Sequence, residues 1–186
     1  IRISSRFPPD NLYTSTPALY ALFKSKKTPP PAVFDYSRAV PHQSRRAKSI
    51  GINFSYGTDA VWEWDAQSHH WMHTYSGVPD IDVLTGKQVW TNNIVIEIVH
   101  YTYGPYSEHG GPGNGDVESQ LVGSGPGYVA RNGRVVKVTW HRPNTSAKTT
   151  FTNAAGQAVR LTPGRTWVEI DPDTQAYAPG GITITY

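Results

Sequence analysis

The sequence predicts a mainly β protein: an antiparallel sandwich or partly open barrel, preceded by one short helix. Three observations carry this reading. The first is Trp90 to Val99, where Ile94, Val95, Ile96, Ile98 and Val99 are β-branched and only Glu97 interrupts the apolar run. Side chains stiff at χ1 suit a pleated strand better than a helix, and a short apolar run bounded by turn residues reads as a strand buried on both faces. The second is Asn132-Gly133 between two β-forming runs, a pair that supplies the positive φ angles of a type I′ hairpin turn. The third is punctuation: 17 Gly and 15 Pro, with 11 Tyr and 6 Trp, in 186 residues. Many short strands separated by regular turns are the pattern of sandwiches and barrels.

Composition narrows the classes further. With 38% hydrophobic and 17% charged residues the chain is globular. A net charge of +3 without a basic stripe gives no case for nucleic acid. The absence of cysteine excludes disulfides, thiolate zinc sites and a cysteine nucleophile. No segment approaches the roughly 20 apolar residues of a membrane-spanning helix. The chain opens on Ile1 rather than Met, which reads as an internal start with an N-terminal part missing.

In chain order, Thr16 is expected to cap a helix of about two turns, with Pro17 at its first position and Leu19, Leu22 and Phe23 on one side. Pro29, Pro30 and Pro31 end it. Residues 28–48 then read as a linker with a basic cluster, Arg45, Arg46 and Lys48. Ile50 to Tyr56 alternates as a strand. Ala60 to Trp64 and His69 to Tyr75 form a hairpin around Asp65-Ala66-Gln67-Ser68. Gly77 to Gly86 is a loop, and the apolar strand from Trp90 follows. Tyr103 to Asp116 is a Gly-rich loop, long enough to suggest function. Val117 to Val122 is a short strand, and Gly123 to Gly127 a Gly-rich turn. Tyr128 to Trp140 is the Asn132-Gly133 hairpin. Thr149 to Leu161 turns around Asn153 to Gly156, Pro163-Gly164 is a type II turn, Thr166 to Ile170 is a strand, and Ile182 to Tyr186 an edge strand.

Candidate chemistry concentrates between His69 and Asp82. His70 and His73 have H-x-x-H spacing, but on a strand they point to opposite faces. His69 and His73 share a face about 13 Å apart at ~3.3 Å per residue, too far for one ion, so no metal site and no cofactor is expected. His73, Asp80 and Asp82 remain the candidate catalytic groups. Trp62 and Trp64 share one strand face; His69, Trp71, His73 and Tyr75 share a face of the partner strand. If the two faces coincide they form an aromatic row, which when exposed suits sugar rings and when buried is core. Ser124 lacks the helix that a nucleophile elbow requires, and its surroundings lack the Gly-Lys-Ser/Thr ending of a phosphate loop.

The ordered motifs carry a resemblance. Asn11 to Thr16, Val61-Trp62-Glu63-Trp64-Asp65, Gly77-Val78-Pro79-Asp80-Ile81-Asp82, Thr85-Gly86-Lys87-Gln88, Asn93-Ile94-Val95-Ile96, Asn132-Gly133-Arg134-Val135-Val136 and Leu161 to Glu169 together resemble the YerB-like bacterial lipoprotein family (DUF3048), mainly its C-terminal domain. The resemblance implies an N-terminal α/β domain followed by a β domain. This chain would then hold the tail of the first (1–47, a helical arm and Pro-rich linker) and all of the second (48–186). It also implies an extracytoplasmic lipoprotein, membrane-anchored through a lipidated cysteine upstream of this chain. No activity comes with the family. Where the family often reads Pro-His-x-Asp, this chain has Pro79-Asp80-Ile81-Asp82; Asp82 stays in register.

The expected function is a non-catalytic cell-envelope binding module for a cell-wall glycan or a partner protein, with Trp71, Tyr75, Asp82, Tyr106 and His109 as contact residues. One alternative is an envelope hydrolase built on His73, Asp80 and Asp82, since proton transfer needs such groups within reach of one substrate atom. Another is an interdomain scaffold whose Leu19, Leu22 and Phe23 face meets the chain's own missing N-terminal domain.

Overall fold

The computed structural model describes residues 2–8, 10–29, 31–55, 58–104, 116–173 and 181–186. The chain divides into two compact units, Ile1–Ala32 and Val33–Tyr186. The first holds helix α1 (Thr16–Leu22), capped by Ser15, whose side chain accepts from the Ala18 N–H at 3.3 Å. The cap thus falls one residue before the expected Thr16, which places Pro17 within the first turn, where a missing N–H costs nothing. No residue of α1 is buried. Leu22 and Phe23 are exposed, as an isolated helix of this length cannot bury an apolar face on its own.

The second unit is built of strands. In order they are β1 (Arg45–Arg46), β2 (Ser49–Ser55), β3 (Thr58–Asp65), β4 (His70–Tyr75), β5 (Val78–Pro79), β6 (Trp90–Thr91) and β7 (Asn93–Val99). Then come β8 (Tyr101–Tyr103), β9 (Val117–Ser119), β10 (Gly123–Arg131), β11 (Arg134–Arg142), β12 (Thr150–Thr152), β13 (Thr166–Pro172) and β14 (Gly181–Thr185). One sheet runs β1-β11-β10-β7-β13 with β12 also on β11; the other runs β14-β2-β3-β4-β5 with β6 also on β4; β8 and β9 form a ribbon. Neither sheet closes on itself among the described residues, so the architecture is a sandwich.

The two sheets face each other across Ile50, Ile52, Trp62, Trp71, Ile94, Ile96 and Ala130. On its other face the first sheet carries Val95, Val129, Val136, Trp140, Phe151 and Leu161. Strand β7 feeds both layers, which is why its apolar residues run almost unbroken. Residues 33–47, read from the sequence as part of the arm, belong to the β unit. Phe34 packs on Phe151 with ring centroids 6.0 Å apart, Leu161 N–H donates to Asp35 O, and the buried Arg131 guanidinium donates to the carbonyls of Ser37, Ala39 and Arg160. The compact unit therefore begins near Val33, not at residue 48.

The pairing departs from the sequence expectation in three places. β7 is antiparallel to β10 but parallel to β13, with Asn93 opposite Thr166 and Val99 opposite Pro172, so the core is not wholly antiparallel. The expected single strand from Trp90 is broken at Asn92. Trp90 and Thr91 pair with β4 in one sheet and Asn93 onward with the other. Gly123 to Gly127 is the start of β10 rather than a turn. A Cβ on Gly127 would lie 2.2 Å from Ile96 O, and one on Gly125 2.8 Å from Ile98 O and from Trp140 Nε1; glycine is there for close packing. The Asn132-Gly133 turn forms as expected, with φ of 50° and 66°. Most of the Tyr103 to Asp116 loop, and residue Tyr56, lie outside the described residues.

Candidate functional site

The β3–β4 hairpin sets the register of the candidate residues. Asp65 caps its turn, accepting from the N–H groups of Gln67 (3.0 Å) and Ser68 (3.2 Å). The register then places Trp62 opposite His73 and Trp64 opposite Trp71. The two aromatic faces do coincide, and they point inward. Trp62 and Trp71 are fully buried and His73 is 5% exposed. Trp71 is thus core, packed on Trp64 at 5.2 Å between centroids. It offers no platform to a ligand, because a flat row of apolar rings between two sheets gains more from mutual burial than from solvent.

His73 and Asp80 meet. His73 Nδ1 lies 2.8 Å from Asp80 Oδ2, and the His73 backbone oxygen accepts from Gln88 Nε2 at 2.7 Å. The imidazole lies against Trp62 and Trp167, at 4.4 and 5.4 Å between centroids. Its Nε2 is buried with no partner among the described residues. Asp82 does not join this pair. Its Oδ1 accepts from Thr85 N–H (2.7 Å) and Thr85 Oγ1–H (2.8 Å), and its backbone closes the turn with Lys87 and Gly86. These bonds hold the Asp82 carboxyl below the usual carboxylate range. Tyr75 is 50% exposed at the end of β4. Tyr106 and His109 lie outside the described residues. Among the described residues no group of three His, Cys, Asp or Glu side chains is placed to hold a metal ion.

A groove of about 730 Å³ has walls that include Asp82, Lys87, Gln88, Trp90, Arg165 and Trp167. Its floor is made by the point where the chain changes sheet. Asn92 and Asn93 turn their N–H groups onto Arg165 O (3.2 and 3.0 Å), which also accepts from Thr91 Oγ1 (3.0 Å) and Asn93 Nδ2 (3.1 Å). Asn92 Oδ1 in turn accepts from Arg165 N–H at 2.9 Å. Gly164 precedes it at φ 144°, where a Cβ would strike the Asn92 side chain. The Arg165 side chain is exposed and lies over Trp90, 3.9 Å from Cζ to the ring centroid. His70 stacks on the same indole at 3.7 Å. Burial, then the Arg165 charge, lower the His70 pKa, which leaves that imidazole neutral at pH 7. Trp167 is 38% exposed at the groove wall and packs edge-on against Trp62 at 5.2 Å.

Behind the groove, β13 carries two buried carboxyls on the face of Trp167. Glu169 Oε1 accepts from Trp62 Nε1 at 2.8 Å. Asp171 is raised to about 6 by burial and by Glu169. Glu97 sits on the sheet's other side, opposite Ile170, raised by burial and partly offset by Arg142. Sequence reasoning missed Trp90, Arg165, Trp167 and this acid pair as a group. The alternation Trp167-x-Glu169-x-Asp171 was the available signal, since i and i+2 share a strand face.

Fold and groove together define a two-sheet β domain that presents a cation-and-aromatic cleft. Residues 50–168 match the family described as "Protein of unknown function (DUF3048) C-terminal domain", and the chain belongs to that family. It is 27% identical over 180 residues, 91% of this chain and 50% of the relative, to "Putative lipoprotein YerB" of Bacillus subtilis (strain 168). The crystal structure of the YerB protein from Bacillus subtilis has the same fold, with a TM-score of 0.72 at 19% identity; the match covers all of this chain and 59% of that one. The chain spans about half the length of the curated relative it matches.

Proposed function

We propose that this chain is a non-catalytic binding module of the cell envelope that holds a cell-wall glycan in the Trp90–Arg165–Trp167 groove. The observation that carries the reading is the groove itself: an exposed indole wall and a guanidinium over Trp90, carried on a backbone held by a hydrogen-bonded floor. Flat faces with polar edges gain contact area with sugar rings at little entropic cost. The lipoprotein name of the Bacillus relative supports an extracytoplasmic, membrane-anchored setting for the whole protein, in which a domain preceding this chain is a second partner. The burial of His73 Nε2 favours binding over hydrolysis, because a general base must reach a substrate proton.

The test is co-sedimentation of the purified chain with isolated peptidoglycan sacculi. Binding is expected, weakened at least about fivefold in Trp167→Ala and largely retained in Trp167→Phe, which keeps a ring face. Thermal melts of both variants check the fold. No sedimentation of the native chain, or equal binding by Trp167→Ala, would overturn the reading.

A further inference from the structure

We propose that the groove is selective for an acidic glycan, whose carboxylate or phosphate oxygens are held by the Arg165 guanidinium; this deepens the binding reading above and rests on it. The argument begins with what Arg165 lacks. Its guanidinium donates no hydrogen bond and has no carboxylate within 4.0 Å among the described residues. Arg131 spends its donors on three carbonyls, Arg134 on Ser44 and Arg142 on Thr145 O. Arg45 stacks on Tyr186 with no such bond among the described residues, so what sets Arg165 apart is that its open donors line the groove.

The guanidinium carbon lies over the Trp90 ring, and the N–H fork has no hydrogen-bond partner among the described residues. That fork matches the spacing of two oxyanion oxygens, which is the geometry of bidentate recognition. The backbone that carries the group is also positioned in advance. Four donors hold the Arg165 carbonyl and Asn92 holds its N–H, so little backbone entropy is lost on binding. The groove's charge points the same way. Lys87 and Arg165 face one carboxylate, Asp82, and Asp82 Oδ1 is already engaged by Thr85. Trp167, on the same cavity wall, supplies a surface for the sugar ring that bears the anion.

The test compares native sacculi, sacculi with carboxyls amidated by carbodiimide, sacculi stripped of phosphodiester polymers by hydrofluoric acid, and sacculi treated both ways. Binding lost on amidation assigns a carboxylate; binding lost on stripping assigns a phosphate; either supports the inference. Arg165→Gln is expected to weaken binding to native sacculi roughly 10- to 100-fold, the range of a charge-assisted hydrogen-bonded pair. Arg165→Lys should recover only part, since a point charge lacks the fork. Arg45→Gln is the charge-matched control. Arg45 stacks on Tyr186 at 3.7 Å outside the groove, and its loss should change binding less than about twofold. Undiminished binding to doubly treated sacculi, or equal losses in Arg165→Gln and Arg45→Gln, would overturn the acidic selectivity while leaving glycan binding intact. No binding to native sacculi would overturn both.

Discussion

Asp171→Asn is expected to stabilise the protein at neutral pH. Asp171 is 4% exposed on β13, and its Oδ1 has no partner among the described residues. Burial first, and the neighbouring Glu169 second, raise its pKa from 3.8 to about 6. The sign follows from linkage. In the unfolded chain the carboxyl ionises near its ordinary value, whereas the folded state keeps the proton until about pH 6. Ionising it therefore costs the folded state free energy as pH rises through this window, and the cost is constant above it. At about 1.4 kcal/mol per unit the raised pKa corresponds to a penalty of about 3 kcal/mol at neutral pH. Asparagine keeps the shape and removes the charge. The assay is urea unfolding of both proteins at several pH values, read as the difference between them. That difference should be smallest below about pH 4, grow through pH 6 and level off. A variant less stable than the native chain at neutral pH, or a difference that shrinks as pH rises, would refute the reasoning.

Two further substitutions test the packing behind the groove and the β10–β11 turn. Trp62→Phe removes the indole N–H that donates to the buried Glu169 carboxyl at 2.8 Å; leaving that acceptor bare should cost about 2–3 kcal/mol, read from the urea midpoint at pH 7. Gly133→Ala places an L-residue at φ 66° and a Cβ 2.6 Å from Trp64 Nε1. A loss of about 1–2 kcal/mol is expected from the backbone alone, and an unchanged melting temperature would contradict the turn.

Much of the fold is legible locally. The turn at Asp65 to Ser68 and the Asn132-Gly133 turn were readable because a side-chain acceptor or a positive φ acts over two to four neighbouring residues. The buried run of β7 is legible in its nearly unbroken apolar residues. The division near Val33 was not readable. Residues 33–47 look like a proline-rich linker, and only the distant partners Phe151, Leu161 and Arg131 make them part of a core. The glycines of β10 looked like a turn because a strand with close neighbours and a flexible turn both require the missing Cβ.

The candidate site divides in the same way. His73 and Asp80 stand seven residues apart in the sequence, and the turn between β4 and β5 brings them to hydrogen-bond distance. The burial of Trp71 is not legible in the sequence, because alternation says which residues share a face but not which face meets the second sheet. Trp90, Arg165 and Trp167 form one groove only because β13 lies parallel beside β7, joining residues such as Asn93 and Arg165 that stand 72 positions apart. Strand type, turn position and side-chain parity are short-range properties, set by sterics and backbone hydrogen bonding within a few residues, so the sequence alone determines them. Which strands pair, which face is buried and which side chains share a cleft depend on how two sheets bury their common surface, and only the tertiary structure decides that.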